Sequence, residues 1–212
     1  MEVAEVRRLT PEMRREQTRT LLIEAAAAVF AARGYANASL AEIAETAGFT
    51  TGAVYSNFGS KEDLFLAVTN ERREAMYEQF FALDETADEA TRIKAVSEVY
   101  QRLTPTTAQW VLWEEFLLYA LRNPEAREKL EADTEAAVRV LVDLVRKHQR
   151  SIGGEPALPA EALARLYMAL FEGLARQRAV QPHAVPDNLF ATLVAFIDDA
   201  VAAPGKQKRR RR

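Results

Sequence analysis

Between Ser39 and Phe58, apolar residues recur at helical spacing on both sides of a single glycine. Leu40, Ile43, Ala44 and Ala47 fall at i, i+3, i+4 and i+7, which is one face of a short helix. Gly48 stands where a tight turn requires a residue free to adopt positive φ. Thr50 is placed to cap a second short helix, in which Val54 and Phe58 share a face. Two helices joined by so short a turn pack closely at a steep angle. Ala44 has the small side chain such a crossing needs, and Val54 lies where it plugs the same corner. Thr50, Thr51, Gly52, Ala53, Tyr55, Ser56 and Asn57 are then left facing outward. Two readings fit this pattern: a plain helical hairpin inside an all-α core, or a helix-turn-helix whose second helix enters a DNA major groove.

The flanking pattern is helical too. Upstream, Leu22, Ala26, Val29 and Phe30 form a stripe that ends at Arg33-Gly34-Tyr35, a C-capping glycine followed by an aromatic. Downstream, Ser60 is an N-cap with Asp63 as the N3 carboxylate of a capping box, and Ser39 with Glu42 repeats that arrangement. Thr10-Pro11 opens the first helix, with proline at its first position. A fourth helix is predicted over 61–83, followed by an acidic linker at 84–89. Further helices are predicted over 89–103, 107–122 and 124–150, with stops at Thr104-Pro105 and Asn123-Pro124. Ser151 to Pro159 reads as a loop. Two last helices, 160–180 and 187–202, complete an all-α chain with no segment of strand period.

Some stripes are wider than a single layer of packing needs. Leu163, Leu166, Tyr167, Leu170 and Leu174 line one of the last two helices, and Leu189, Leu193, Phe196, Ile197 and Ala200 the other. Phe171, Phe190, Val194 and Val201 widen both faces. Ordinary core packing accounts for part of this area, while a monomer would leave the remainder exposed. The helix around Gln109 to Leu121 is apolar on nearly every side, the signature of a helix surrounded by others.

Composition narrows the chemistry. The 212 residues are 49% hydrophobic, enough for a sizeable core. With no cysteine, disulfides and thiolate chemistry are excluded, in keeping with a cytoplasmic location. Met1 to Gln17 lacks the apolar core of a secretory signal, and no run reaches membrane-spanning length. Neither His148 nor His183 has a metal-spaced partner, and nucleophile-elbow and phosphate-loop patterns are absent, so no enzyme, metal or cofactor is expected. Net charge is −3, but it is unevenly spread. Residues 1–61 carry seven basic and seven acidic groups, residues 62–205 carry fifteen and twenty-four, and 206–212 add six cations. An acidic body disfavours indiscriminate coating of DNA and leaves room for confined, specific contact. Lys206 to Arg212 reads as a disordered basic tail, with extra phosphate contact as the alternative.

From Ile23 to Leu64 the chain resembles the amino-terminal domain of the TetR family of transcriptional regulators. The residues that carry the likeness are Ile23-Glu24-Ala25-Ala26, Val29-Phe30, Gly34-Tyr35, Ser39-Leu40, Ile43-Ala44, Ala47-Gly48, Gly52, Val54-Tyr55, Phe58 and Ser60 to Leu64. The resemblance implies a nine-helix, two-domain fold: a flexible start (1–10), a three-helix DNA-binding domain (11–60), and a helical ligand-binding and dimerisation domain (61–203). Residues 61–83 would connect the two domains, and 204–212 would be the tail. It implies that Ser39, Thr50, Thr51, Gly52, Tyr55, Ser56, Asn57 and Lys61 contact DNA, with Tyr55, Asn57, Ser39 and Lys61 on phosphates and Thr51, Gly52 and Ser56 on the bases or groove. It also implies a homodimer formed by the last two helices through Leu163, Leu166, Tyr167, Leu170, Leu174, Leu189, Leu193, Phe196 and Ile197, reading a palindromic double-stranded operator. A small hydrophobic or amphipathic effector would bind among the central helices. Trp110, Trp113, Glu114, Phe116, Tyr119, Phe171 and Gln177 are the candidates, although the aromatics serve equally as core. The chain departs from the family's commonest pattern at Asn57, where histidine is frequent, at Ser56, where an aromatic is frequent, and at Thr51, where a lysine or arginine often stands. A cation-to-guanine contact from position 51 is therefore lost. Repression released by the effector is the expected mode; the alternative is a ligand-binding relative that no longer reads a DNA sequence.

Overall fold

The computed structural model describes residues 10–81, 87–152 and 157–201. Most of the expected flexible start, the first half of the acidic linker, part of the 151–159 loop and the basic tail fall outside these residues. Among the described residues there are nine helices and no strand: α1 (Pro11–Asn37), α2 (Leu40–Ala47), α3 (Thr51–Phe58), α4 (Lys61–Phe81), α5 (Glu89–Leu103), α6 (Thr107–Arg122), α7 (Pro124–Ile152), α8 (Ala160–Val180) and α9 (Leu189–Val201).

Local chemistry sets most of the boundaries. Thr10 caps α1 by accepting the Met13 N–H, and Asp88 caps α5 through Thr91. Both caps satisfy backbone donors that a helix start leaves free. Gly34 interrupts α1 with φ +74° and ψ 170°, so the segment beyond it turns away from the helix axis. That region of backbone space is almost confined to glycine.

The chain divides into two compact units. One contains the described residues up to Asn70 together with Leu112–Ala126; the other contains Glu71–Val111 and the residues from Arg127 onward. In the first, Leu22, Ala26, Phe30, Ile43, Val54, Leu64, Phe65 and Phe116 are buried. In the second, α7, α8 and α9 bury Val138, Val142, Val145, Leu163, Ala164 and Val201 in one cluster. Tyr100, Leu174, Val185 and Phe190 form another.

The structure corrects one expectation. In α6, Trp110, Phe116 and Ala120 are buried, but Val111, Leu118 and Leu121 are more than half exposed. A helix apolar on every side has more apolar surface than its neighbours within the chain cover.

Candidate nucleic-acid interface

Gly48 ends α2 in the left-handed conformation, φ 74° and ψ 26°, and its N–H and that of Phe49 close back on Ala44. Thr50 then starts α3, its hydroxyl accepting the Ala53 N–H at 3.3 Å. Ala44 is 2% exposed and Val54 0%, so the crossing is as tight as the small residue allows. α3 therefore turns a fixed face outward. Thr50, Gly52, Tyr55 and Ser56 are exposed there, with Thr51 and Asn57 partly so. Tyr55 is 56% exposed, a large aromatic with no packing reason to be outside. A Cβ added to Gly52 would find only Thr50 Oγ1 nearby, at 3.7 Å, so the backbone there is open to close approach.

The other expected contacts are held by internal bonds. Ser39 is exposed and caps α2 through the Glu42 N–H at 3.1 Å. The Glu42 carboxylate does not complete the expected box: it accepts instead from Arg33 Nε at 3.0 Å, because the guanidinium is the stronger donor. At the start of α4, the Ser60 hydroxyl donates to Asp63 Oδ2 at 2.7 Å and accepts the Asp63 N–H at 3.1 Å. Asn57 donates its amide to Ala53 O at 2.8 Å. Lys61 Nζ lies 4.6 Å from the centre of the Tyr35 ring and donates to Ala36 O at 3.3 Å. Burial lowers the pKa of Lys61, with Glu62 opposing. Arg19 stacks over the Phe58 ring at 4.6 Å, bracing the end of α3 from α1.

Two carboxylates that the periodicity did not single out tie this unit together. Positive φ at Gly34 leaves the Tyr35 N–H outside the helix ladder, and Glu115 Oε2 of α6 accepts it at 2.7 Å. Glu62 Oε1 accepts from the hydroxyls of Tyr35 at 3.2 Å and Tyr119 at 2.9 Å. Burial pushes the Glu62 carboxyl up, but bonds from its own backbone and from the Tyr119, Ser60 and Tyr35 hydroxyls outweigh it and bring its pKa below the ordinary value. The same network raises Tyr35, chiefly by burial, and Tyr119, chiefly through its bond to Glu62. Around them Phe30, Tyr35, Phe65, Trp113, Phe116 and Tyr119 form a contiguous aromatic cluster. In sequence, Gly34-Tyr35 was the only hint, since a glycine needing positive φ leaves a backbone donor to be satisfied.

The ligand candidates are divided between the units. Phe116, wholly buried, with Trp113 and Tyr119 belongs to the aromatic cluster just described, on the same helix as the half-buried Glu114. In the other unit, Trp110 is buried with Arg176 5.8 Å from its ring centre, Phe171 packs on Tyr100 and Phe190, and Gln177 is exposed. The dimer candidates also differ in surroundings. Leu163 and Leu174 lie in the chain's own core, Tyr167, Leu170, Leu189, Leu193 and Ile197 are partly buried, and Leu166 and Phe196 are 41% and 69% exposed. Among the described residues no cluster of three metal-ligating side chains occurs, and no helix is long and apolar enough to cross a membrane.

A tight two-helix corner with an exposed, hydroxyl-rich second helix defines a helix-turn-helix protein. Residues 22–68 match the family of bacterial regulatory proteins of the tetR type, and residues 89–203 match the C-terminal domain of BetI-type transcriptional repressors. The HTH-type transcriptional regulator TtgR of Pseudomonas putida is 30% identical over 194 residues, covering 86% of this chain and 89% of the relative. Among solved structures, Salmonella enterica GusR superposes with a TM-score of 0.66 at 24% identity, covering 91% of this chain and 98% of that one. A transcriptional regulator from Saccharomonospora viridis in complex with choline shares the fold at TM-score 0.57 and 21% identity, with 87% and 96% coverage. The chain belongs to the TetR family of transcriptional regulators, and its helix-turn-helix is a DNA-binding domain rather than part of an enzyme.

Proposed function

We propose that this chain is a cytoplasmic homodimeric repressor that binds a palindromic operator and is released by a small-molecule effector. The supporting observation is the outward face of α3, where an exposed Tyr55 stands beside an open Gly52 and a ring of hydroxyls. Hydroxyls, amides and free N–H groups suit phosphate and groove contact. Ser39, Thr50, Thr51, Gly52, Tyr55, Ser56, Asn57 and Lys61 form that contact. Exposed Leu166 and Phe196, on the two last helices, belong to the surface that pairs with a second copy. Two recognition helices held roughly 34–36 Å apart then reach successive major grooves. The choline seen in the Saccharomonospora protein supports a small-molecule effector for this fold. Effector binding would favour a conformer with a different recognition-helix spacing. A coupling of about 1–3 kcal/mol lowers DNA affinity roughly 5–150-fold, and DNA lowers effector affinity by the same factor.

Selection of the purified protein against a random duplex pool tests this reading. The expected product is a palindrome with half-sites about one helical turn apart, retained in the presence of bulk DNA. Salt-sensitive binding without any consensus would contradict it, and would favour a relative that has lost sequence reading.

A further inference from the structure

Tyr100 on α5 is fully buried, and its ring stacks on Phe190 of α9 at 4.8 Å and 12°. Phe171 of α8 meets it edge-on at 5.3 Å and 82°, and stands at 90° to Phe190. Leu174 and Val185 complete the cluster. Among the described residues, the Tyr100 hydroxyl is the buried side-chain oxygen without a hydrogen-bond partner. Thr104, one turn on, donates its hydroxyl proton to the Tyr100 carbonyl at 2.7 Å.

A buried hydroxyl without a partner is unfavourable, because it has given up its bonds to water and gained none in return. Packing alone does not account for it, because phenylalanine would fill the same space, as it does at both neighbouring positions. Burial raises the Tyr100 pKa, with Thr104 and Arg178 pulling the other way, so near neutral pH the group is an O–H donor. Arg178, paired with Asp187, is close enough for its charge to act on the phenol. A donor and a nearby cation within an aromatic wall favour an oxygen acceptor at the end of a planar apolar body. Such a balance, mostly apolar with few polar groups, is that of small-molecule sites.

We propose that Tyr100 is the polar anchor of an effector site in this unit, taking a small aromatic molecule that carries a phenolic or carboxylate oxygen. The inference rests on the reading of the chain as an effector-responsive regulator. Phe171, which is only partly buried, is the ring that turns aside to admit the ligand. The phenol's stability cost is then a consequence of function, removed when an acceptor arrives.

The test compares full-length wild type with Tyr100→Phe by thermal unfolding, alone and with 4-nitrophenol, benzoate or choline, and by calorimetric titration of the same three probes. The variant alone is expected to unfold at a higher temperature, since it loses only an unpaired oxygen. At least one of the two oxygen-bearing aromatics should stabilise the wild type and bind Tyr100→Phe about tenfold more weakly, the value of one good hydrogen bond. A variant less stable than wild type would show that the hydroxyl already has a structural partner, and would overturn the proposal. So would equal binding of the aromatics to both proteins, binding of neither, or binding of choline alone. Operator binding measured alongside keeps the two claims apart. A wild type that selects no duplex contradicts the regulator reading whatever the probes do, whereas unchanged operator binding by Tyr100→Phe shows that the substitution acts at the effector site alone.

Discussion

Gly34 and Gly52 are required for different reasons. At Gly34 an added Cβ would lie 2.6 Å from Glu115 Oε2, on a backbone that side chains rarely adopt. Gly34→Ala should therefore lower stability by about 1–3 kcal/mol in denaturant unfolding. A neutral result would mean that the bend of α1 does not depend on glycine. At Gly52 the nearest atom is 3.7 Å away, so nothing inside the chain resists a methyl group. Gly52→Ala should raise stability by roughly 0.5–1 kcal/mol, because alanine is the better helix former. The same change should weaken operator binding if DNA approaches the backbone closely there. Unchanged affinity in a filter-binding titration would remove Gly52 from the interface. Glu62 adds a pH dependence. A carboxyl whose pKa is lowered on folding stabilises the fold above its unfolded pKa, and that stabilisation is lost as pH falls through the folded value. Glu62→Gln should flatten the acid limb of the unfolding profile, which tryptophan fluorescence against pH would follow.

Helix boundaries were largely legible in sequence because caps and prolines write them locally. Thr10, Ser39, Thr50 and Asp88 each cap a helix through the residue three positions on. Thr50→Ala should cost about 1 kcal/mol of stability and weaken binding to all duplexes alike, because it loosens the start of α3. An effect confined to one operator base would instead make Thr50 a base reader. What sequence did not reveal is non-local. The bond from Glu115 to the Tyr35 N–H spans 80 residues, and no period in α6 distinguishes Glu115 from the adjacent Glu114. The expectation that α6 would be surrounded failed for a related reason: periodicity reports how apolar a helix is, not how many neighbours cover it. The Tyr100 hydroxyl was hidden because a tyrosine in an apolar stripe reads as core whether or not its oxygen finds a partner.

At the scale of the molecule, the proposed operator reading requires two copies. Phe196 is 69% exposed although it lies in the most apolar helix, and Leu166 is 41% exposed on the helix before it. Phe196→Arg should leave a folded chain, since the ring supports little of its own core, but shift sedimentation from dimer to monomer. A variant that remains dimeric would place the interface elsewhere. The acidic balance of residues 62–205 fits the proposed arrangement, for it disfavours DNA contact along that segment.

The measurement that bears most directly on a dimer reading a palindrome is affinity for the selected operator with half a helical turn, about 5 base pairs, inserted between its half-sites. The inserted half-turn places the second half-site on the opposite side of the duplex. For a dimer with both heads engaged, affinity should fall toward that of a duplex carrying a single half-site. A full-turn insertion should leave one half-site bound and the other out of reach. Undiminished binding to the half-turn duplex would mean that each copy reads DNA alone, and would contradict the dimeric repressor.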